Sequence, residues 1–200
     1  MKKLFSLVFV SLFSFACEQG ALAGRSVVDP INPENPAEVA AAGEELYGIW
    51  CAECHGDAGQ GSDAAFQIQN PIVGYATFVI RNGRETFTFD ADMPAFGTDE
   101  LTDNELNSVI YFLRQAPKPT SGAGLFARYC ANCHGADGLG GVVDVNVVKE
   151  AQDKPEDVLE TVREGEGQSA SQRFKYMPKF SLEDLTNGEV NKITDFLLSL

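Results

Sequence analysis

Apolar residues recur at helical spacing in two well-separated stretches. Leu106, Val109, Ile110 and Leu113 fall at i, i+3, i+4 and i+7, and Val190, Ile193, Leu197 and Leu200 keep nearly the same rhythm. That period predicts two amphipathic helices, each with one buried stripe. Thr102 with Glu105, and Thr186 with Glu189, precede them. Thr-x-x-Glu fits a capping box, in which hydroxyl and carboxylate satisfy the free N–H groups of a helix start. A further helix is predicted over about Ala37 to Cys51, and a weaker one over about Pro71 to Arg81. Strand signals are poor, and only Glu85 to Phe89 suggests a local pairing. The expected fold class is all-α.

The two stripes belong to a larger repetition. Leu46-Tyr47-Gly48-Ile49-Trp50-Cys51-Ala52-Glu53-Cys54-His55-Gly56 aligns with Leu125-Phe126-Ala127-Arg128-Tyr129-Cys130-Ala131-Asn132-Cys133-His134-Gly135 at an offset of 79. Ile80-Arg81-Asn82-Gly83 recurs as Val162-Arg163-Glu164-Gly165, and Met93-Pro94-Ala95-Phe96 as Met177-Pro178-Lys179-Phe180. Two long units in the same order are a tandem duplication of one small domain, not a solenoid. The expected organisation is a signal peptide over 1–23, a leader over 24–40, a first domain over 41–116, a linker over 117–122 and a second domain over 123–200. The leader is extended through its prolines, Pro30, Pro33 and Pro36. The linker is marked by Pro117, Pro119, Ser121 and Gly122.

The amino terminus reads as a targeting segment. Lys2 and Lys3 precede an apolar run from Leu4 to Ala16, and Ala21-Leu22-Ala23 gives a small-residue cleavage pattern. The run is too short to span a bilayer. The expectation is an exported, periplasmic protein without a transmembrane span. A second reading makes Cys17 a lipid-anchor site, although Ser14 stands where such sites usually carry Leu. Of 200 residues, 44% are hydrophobic and 22% charged, a globular composition. The net charge of −14 repels phosphate backbones and excludes nucleic acid as a partner.

Five cysteines, two histidines and three methionines leave few candidate ligands. Both histidines close a Cys-x-x-Cys-His motif, Cys51/Cys54/His55 and Cys130/Cys133/His134. This is the attachment pattern for c-type haem. Two sulfurs three residues apart reach the two vinyl groups of one porphyrin, and the adjacent His falls under the iron. Zinc is the weaker reading, because paired Cys motifs in zinc ribbons lie about 15–20 residues apart. A thioredoxin-like dithiol lacks its βαβ setting, and plain disulfides need no His. With no histidine to spare, the sixth ligand falls to Met93 and Met177. Met-Pro is an extended dipeptide that can present a sulfur to iron, and thioether ligation raises the potential and closes the iron to substrates.

On these residues the chain resembles the bacterial two-domain diheme cytochromes c, with tandem class I domains covering about residues 40 to 200. The resemblance implies two haems ligated by His and Met and an electron-carrying role in the periplasm, without catalysis on a substrate. In that family a Pro carbonyl often orients the proximal His. Pro71 is the candidate for His55. No Pro lies between His134 and Lys154, so none is assigned to His134. The Gly165 to Met177 stretch is also two residues longer than Gly83 to Met93.

Residues 41–116 carry net −9 and residues 117–200 net −4. Asp90 and Asp92 flank Met93, whereas Arg173, Lys175 and Lys179 flank Met177. Positive charge favours reduced iron, so the second haem is expected at the higher potential and the first domain against a basic partner surface. The leading functional reading is a carrier of single electrons between redox partners. Its alternative is a haem-bearing subunit of a larger dehydrogenase or oxidase. Peroxidase chemistry needs an open sixth position, and the diheme peroxidases resembling this build use more histidines.

Overall fold

A computed structural model describes residues 31–85, 88–167 and 176–200. The segment over 1–30, with its signal-peptide and Cys17 readings, lies outside the described residues, as do Arg173 and Lys175. In the first repeat, α1 (Pro36–Trp50) starts at Asn35, whose side chain accepts from the backbone N–H groups of Ala37 and Glu38, with Pro36 in the first turn. There follow the single turn α2 (Ala52–His55), α3 (Val73–Asn82) and α4 (Asp103–Arg114). The second repeat runs α5 (Gly122–Tyr129), α6 (Ala131–His134), a 3-10 turn at Gly141–Val143, α7 (Val147–Asp153), α8 (Asp157–Glu164) and α9 (Asn187–Leu198). Both capping boxes form. Glu105 Oε2 accepts from Thr102 N at 2.8 Å, and Glu189 Oε2 from Thr186 N at 2.8 Å.

Each repeat buries its own apolar core. Leu46 and Tyr47 of α1 meet Leu106, Val109, Ile110 and Leu113 of α4. Leu125 and Phe126 of α5 meet Val190, Ile193 and Leu197 of α9, joined by Val148 of α7. Leu200 does not complete the second stripe. It is 57% exposed, because α9 ends at Leu198 and Ser199 caps it.

A glycine sets each helix crossing. A Cβ at Gly43 would stand 2.0 Å from the Ser108 carbonyl oxygen of α4, and one at Gly122 would stand 2.0 Å from the Lys192 carbonyl oxygen of α9. No side chain fits at that distance, so hydrogen is the only substituent that lets the helices touch. The suggested strand at Glu85 to Phe89 reduces to an isolated antiparallel bridge between Arg84 and Met93, matched by Glu166 and Met177. Thr86 and Phe87 are outside the described residues.

The repeats touch through side chains. Arg114 of α4 reaches Asp184 at 3.0 Å and the Pro71 carbonyl at 3.0 Å. Tyr75 of α3 stacks on Tyr176 with ring centroids 5.5 Å apart. The loop over 66–71 is fastened to the second repeat by Gln67 Nε2 donating to the Arg128 carbonyl at 2.6 Å and Asn132 Nδ2 donating to the Gln67 carbonyl at 2.7 Å.

Candidate haem-attachment sites

Each Cys-x-x-Cys-His segment forms a single helical turn directly after a longer helix. Cys51 caps both α1 and α2, and Cys130 caps both α5 and α6. Backbone bonds from His55 N to the Cys51 carbonyl (2.9 Å) and from His134 N to the Cys130 carbonyl (3.0 Å) close the turns. Both cysteines of a motif therefore lie on one turn with the His beside them. None of these four cysteines is in a disulfide, and all four are half-buried. Burial pushes the Cys51 thiol up to about 12, with Cys54 adding to the rise, and pushes Cys130 up to about 12, with Cys133 adding to it. The two motifs do not merge into one metal site. Among the described residues, no three His, Cys, Asp or Glu side chains gather as metal ligands.

The histidines are oriented by main-chain carbonyls. His55 Nδ1 lies 2.8 Å from the Phe66 oxygen, and His134 Nδ1 lies 3.3 Å from the Val145 oxygen. A carbonyl only accepts, so Nδ1 carries the proton and Nε2 keeps a free lone pair. Burial lowers the pKa of both imidazoles, against the carbonyl bond that raises it, and they stay neutral at physiological pH. Pro71 is therefore not the partner of His55; its carbonyl accepts from Arg114 instead. Phe66 and Val145 both lie eleven residues beyond their histidines. That shared spacing was available in the repeat, but a carbonyl has no side-chain signature.

The methionines sit in loops pinned from both ends. Gly83 and Gly165 turn with φ of +68° and +64°, a region side chains rarely adopt. The next residue pairs with the Met. Arg84 N donates to the Met93 oxygen at 3.0 Å and Met93 N to the Arg84 oxygen at 2.9 Å. The Glu166 and Met177 pair repeats this at 3.0 and 2.7 Å, so the two extra residues before Met177 do not disturb the ladder. Downstream, Phe96 N bonds the Ile80 oxygen and Phe180 N the Val162 oxygen.

The recurring Arg of the Arg-x-Gly segment has a role that its recurrence alone did not name. Arg81 donates to the carbonyls of Phe96, Gly97 and Leu101 and to Asp103. Arg163 donates to the carbonyls of Phe180, Ser181 and Leu185 and to Asn187. One guanidinium thus holds the chain from the Met loop to the closing helix. Its recurrence with a Gly two residues on, at matching places, was the available signal.

These residues suit a c-type haem: paired thiols on one turn, a neutral imidazole with an open nitrogen, and a thioether on a fixed loop. A further observation agrees. Trp50, next to Cys51, keeps its Nε1 buried with no partner. A buried donor left unpaired costs roughly 1–3 kcal/mol, and a group that brings its own oxygen acceptors meets that need.

Two tandem all-helical repeats with these turns and loops define a two-domain c-type cytochrome carrying two c-type haems. The family described as Cytochrome C oxidase, cbb3-type, subunit III matches residues 38–113 and again residues 117–197, and the chain belongs to that family. The chain is 29% identical over 145 residues to the cbb3-type cytochrome c oxidase subunit CcoP of Rhodobacter capsulatus, covering 62% of this chain and 48% of that protein. It is 29% identical over 126 residues to subunit FixP of Sinorhizobium medicae (strain WSM419), covering 54% and 43%. The chain thus spans about half the length of the curated relatives it matches. A chain of the Kuenenia stuttgartiensis reducing HAO-like protein complex overlaps 79% of this chain and 94% of its own length, with a TM-score of 0.28 and 16% identity.

Proposed function

We propose that this chain is a haem-bearing electron-transfer subunit of a terminal oxidase complex. It passes single electrons and is not itself catalytic on a substrate. The carrying observation is the duplicated Cys-x-x-Cys-His turn, each copy accompanied by a pinned Met loop. The family match across both repeats, with relatives named as oxidase subunits, favours a fixed subunit over the freely diffusing carrier expected first.

In this reading the two haem domains are residues 41–116 and 123–200, joined by 117–122. Cys51 and Cys54 hold the first haem through thioethers, and Cys130 and Cys133 hold the second. His55 and Met93 ligate the first iron, and His134 and Met177 the second. When bound, each haem supplies a one-electron iron couple. The chain does the rest. The Phe66 and Val145 carbonyls fix the tautomer and tilt of the imidazoles. The bridges at Arg84 and Glu166 fix the thioether side, and Arg81 and Arg163 keep these loops from opening. Held in this way, His55, Met93, His134 and Met177 would need little rearrangement to serve a one-electron couple.

The protein is exported to the periplasm after cleavage at residue 23, with Cys17 lipidation as the second form. Among the described residues no helix is long and apolar enough to cross a membrane. The first domain presents its acidic surface to a basic partner. Affinity purification of the tagged chain from its native membranes tests the proposal. A stoichiometric complex with an oxidase supports it; recovery as a free monomer restores the diffusing carrier. Intact mass reports two added haems and the state of Cys17.

A further inference from the structure

One side chain of the first repeat ends in the second repeat's attachment site. Arg84 is locked at its backbone, because Gly83 before it takes a left-handed turn and both its N–H and C=O pair with Met93. Its guanidinium then crosses the boundary. Nη2 lies 3.8 Å from Cys133 Sγ, and Nη1 donates to the Tyr75 hydroxyl at 3.1 Å. On the near side the guanidinium carbon stands 6.0 Å from the ring centre of Phe66, the residue whose carbonyl orients His55. Tyr75 stacks on Tyr176, next to Met177. Arg84 makes no ion pair among the described residues. The equivalent position in the second repeat is Glu166, so the charge is inverted rather than repeated.

We propose that Arg84 sets the potential of the second haem from the first domain, as a fixed positive charge held beside the Cys133 sulfur by Tyr75. The inference rests on the site assignment above. A guanidinium stays charged at any working pH. Burial pushes the Tyr75 hydroxyl above its ordinary value, so this partner stays neutral and does not cancel the charge. A thioether sulfur remains a weak acceptor, and the contact survives attachment. Positive charge at this range favours the reduced iron by Coulomb attraction to the added electron. The second haem would thus depend on a residue its own repeat lacks, and separating the domains would change its potential.

The test is a spectroscopic redox titration of the full-length protein matured with both haems, comparing Arg84→Gln, Arg84→Lys and Tyr75→Phe. Met177→His, which changes the second site's spectrum, assigns the two steps. Arg84→Gln is expected to lower the reduced-to-oxidised ratio of the second haem at fixed poise by about tenfold, which is about 59 mV for one electron. The first haem moves less. Arg84→Lys recovers most of the loss, because it keeps the charge, and Tyr75→Phe gives a smaller drop in the same direction. Arg84→Lys also guards against a folding defect in Arg84→Gln, with haem content measured for each variant. An unmoved second midpoint in Arg84→Gln at full haem content overturns the role of Arg84. A drop in Arg84→Lys as large as in Arg84→Gln overturns the charge explanation. Wild-type protein without two covalent haems defeats the site assignment instead, and the two failures are distinguishable.

Discussion

The two repeats share a frame and differ in what surrounds it. Both build the same helix crossing over a glycine, the same capping box, the same Arg clasp and the same bridge at the Met. Around that frame the chemistry diverges. His55 is held at 2.8 Å by its carbonyl and His134 at 3.3 Å. Under the proposed ligation, the tighter bond from Nδ1 would make His55 the more basic ligand and favour oxidised iron at the first site. Tyr47 ties α1 to the end of its turn by donating to the Gly56 oxygen at 2.5 Å, whereas the matching Phe126 has no hydroxyl to do so. Trp50 presents an unpaired indole N–H where the second repeat has Tyr129. The difference teaches that the repeats keep the elements that position the Cys-x-x-Cys-His turn and the Met loop, and vary the side chains and charges around them. Asp90 and Asp92 beside Met93 point the same way as the looser His134 bond, toward a second haem of higher potential; Glu166 opposes it.

The largest expected effect comes from removing one attachment site. A helical unit of under eighty residues buries too little apolar area to be robust without its group. Cys130→Ala with Cys133→Ala should lose one haem by intact mass and remove the second repeat's cooperative unfolding. The first should survive. Loss of both together would show that the repeats do not fold separately.

Next are the crossing glycines. Gly43→Ala and Gly122→Ala each force a methyl group against a backbone oxygen. Each should destabilise its own repeat by about 3 kcal/mol, the upper part of the overpacking range, measured by denaturant unfolding followed at the haem of each domain. Equal losses would support equivalent frames, and unequal ones would show which interface yields.

The caps should matter less. Thr102→Ala and Thr186→Ala each remove a capping-box hydroxyl, at a cost of about 1 kcal/mol, read by thermal unfolding. Glu105 is buried, and Glu189 pairs with Lys118 at 2.8 Å, so the two caps sit in different surroundings.

The smallest effect concerns the contact between repeats. Burial would raise the Asp184 pKa, but bonds from Ser181 and Arg114 outweigh it and leave the carboxyl below its ordinary value. A depressed pKa contributes stability above the unfolded value, and that stability is lost as pH falls through the folded one. The Arg114 pair is partly solvated, so its contribution is about 1 kcal/mol or less. Acidification through the carboxylate range should loosen the domains, seen as faster amide exchange at Tyr176. Asp184→Asn should already be loosened at neutral pH and lose that part of the dependence.

Much of the molecule was legible in one dimension. The Thr-x-x-Glu caps and the stripes of α4 and α9 depend on neighbours within a few residues, so local physics decides them, and only Leu200 fell outside. The Cys-x-x-Cys-His turns are equally local, since one helical turn brings three side chains together. The duplication itself exposed the matched Met loops. Other features depended on places where distant backbone meets side chain. The carbonyls that orient His55 and His134 belong to Phe66 and Val145, whose side chains carry no hint of that role. Pro71 was the wrong partner because family habit stood in for that missing signal. Arg81 and Arg163 were visible as recurrences, but their acceptors are carbonyls that only the folded chain gathers.

The sequence by itself determined two helical repeats, each with one Cys-x-x-Cys-His turn and one Met-Pro loop, because these follow from local spacing and from counting a scarce set of residues. Only the tertiary structure decided which carbonyls hold the histidines, where Gly43 and Gly122 let helices touch, and that Arg84 of one repeat ends beside Cys133 of the other. Those relations join residues far apart in the chain, and they exist only once packing has brought their backbones together.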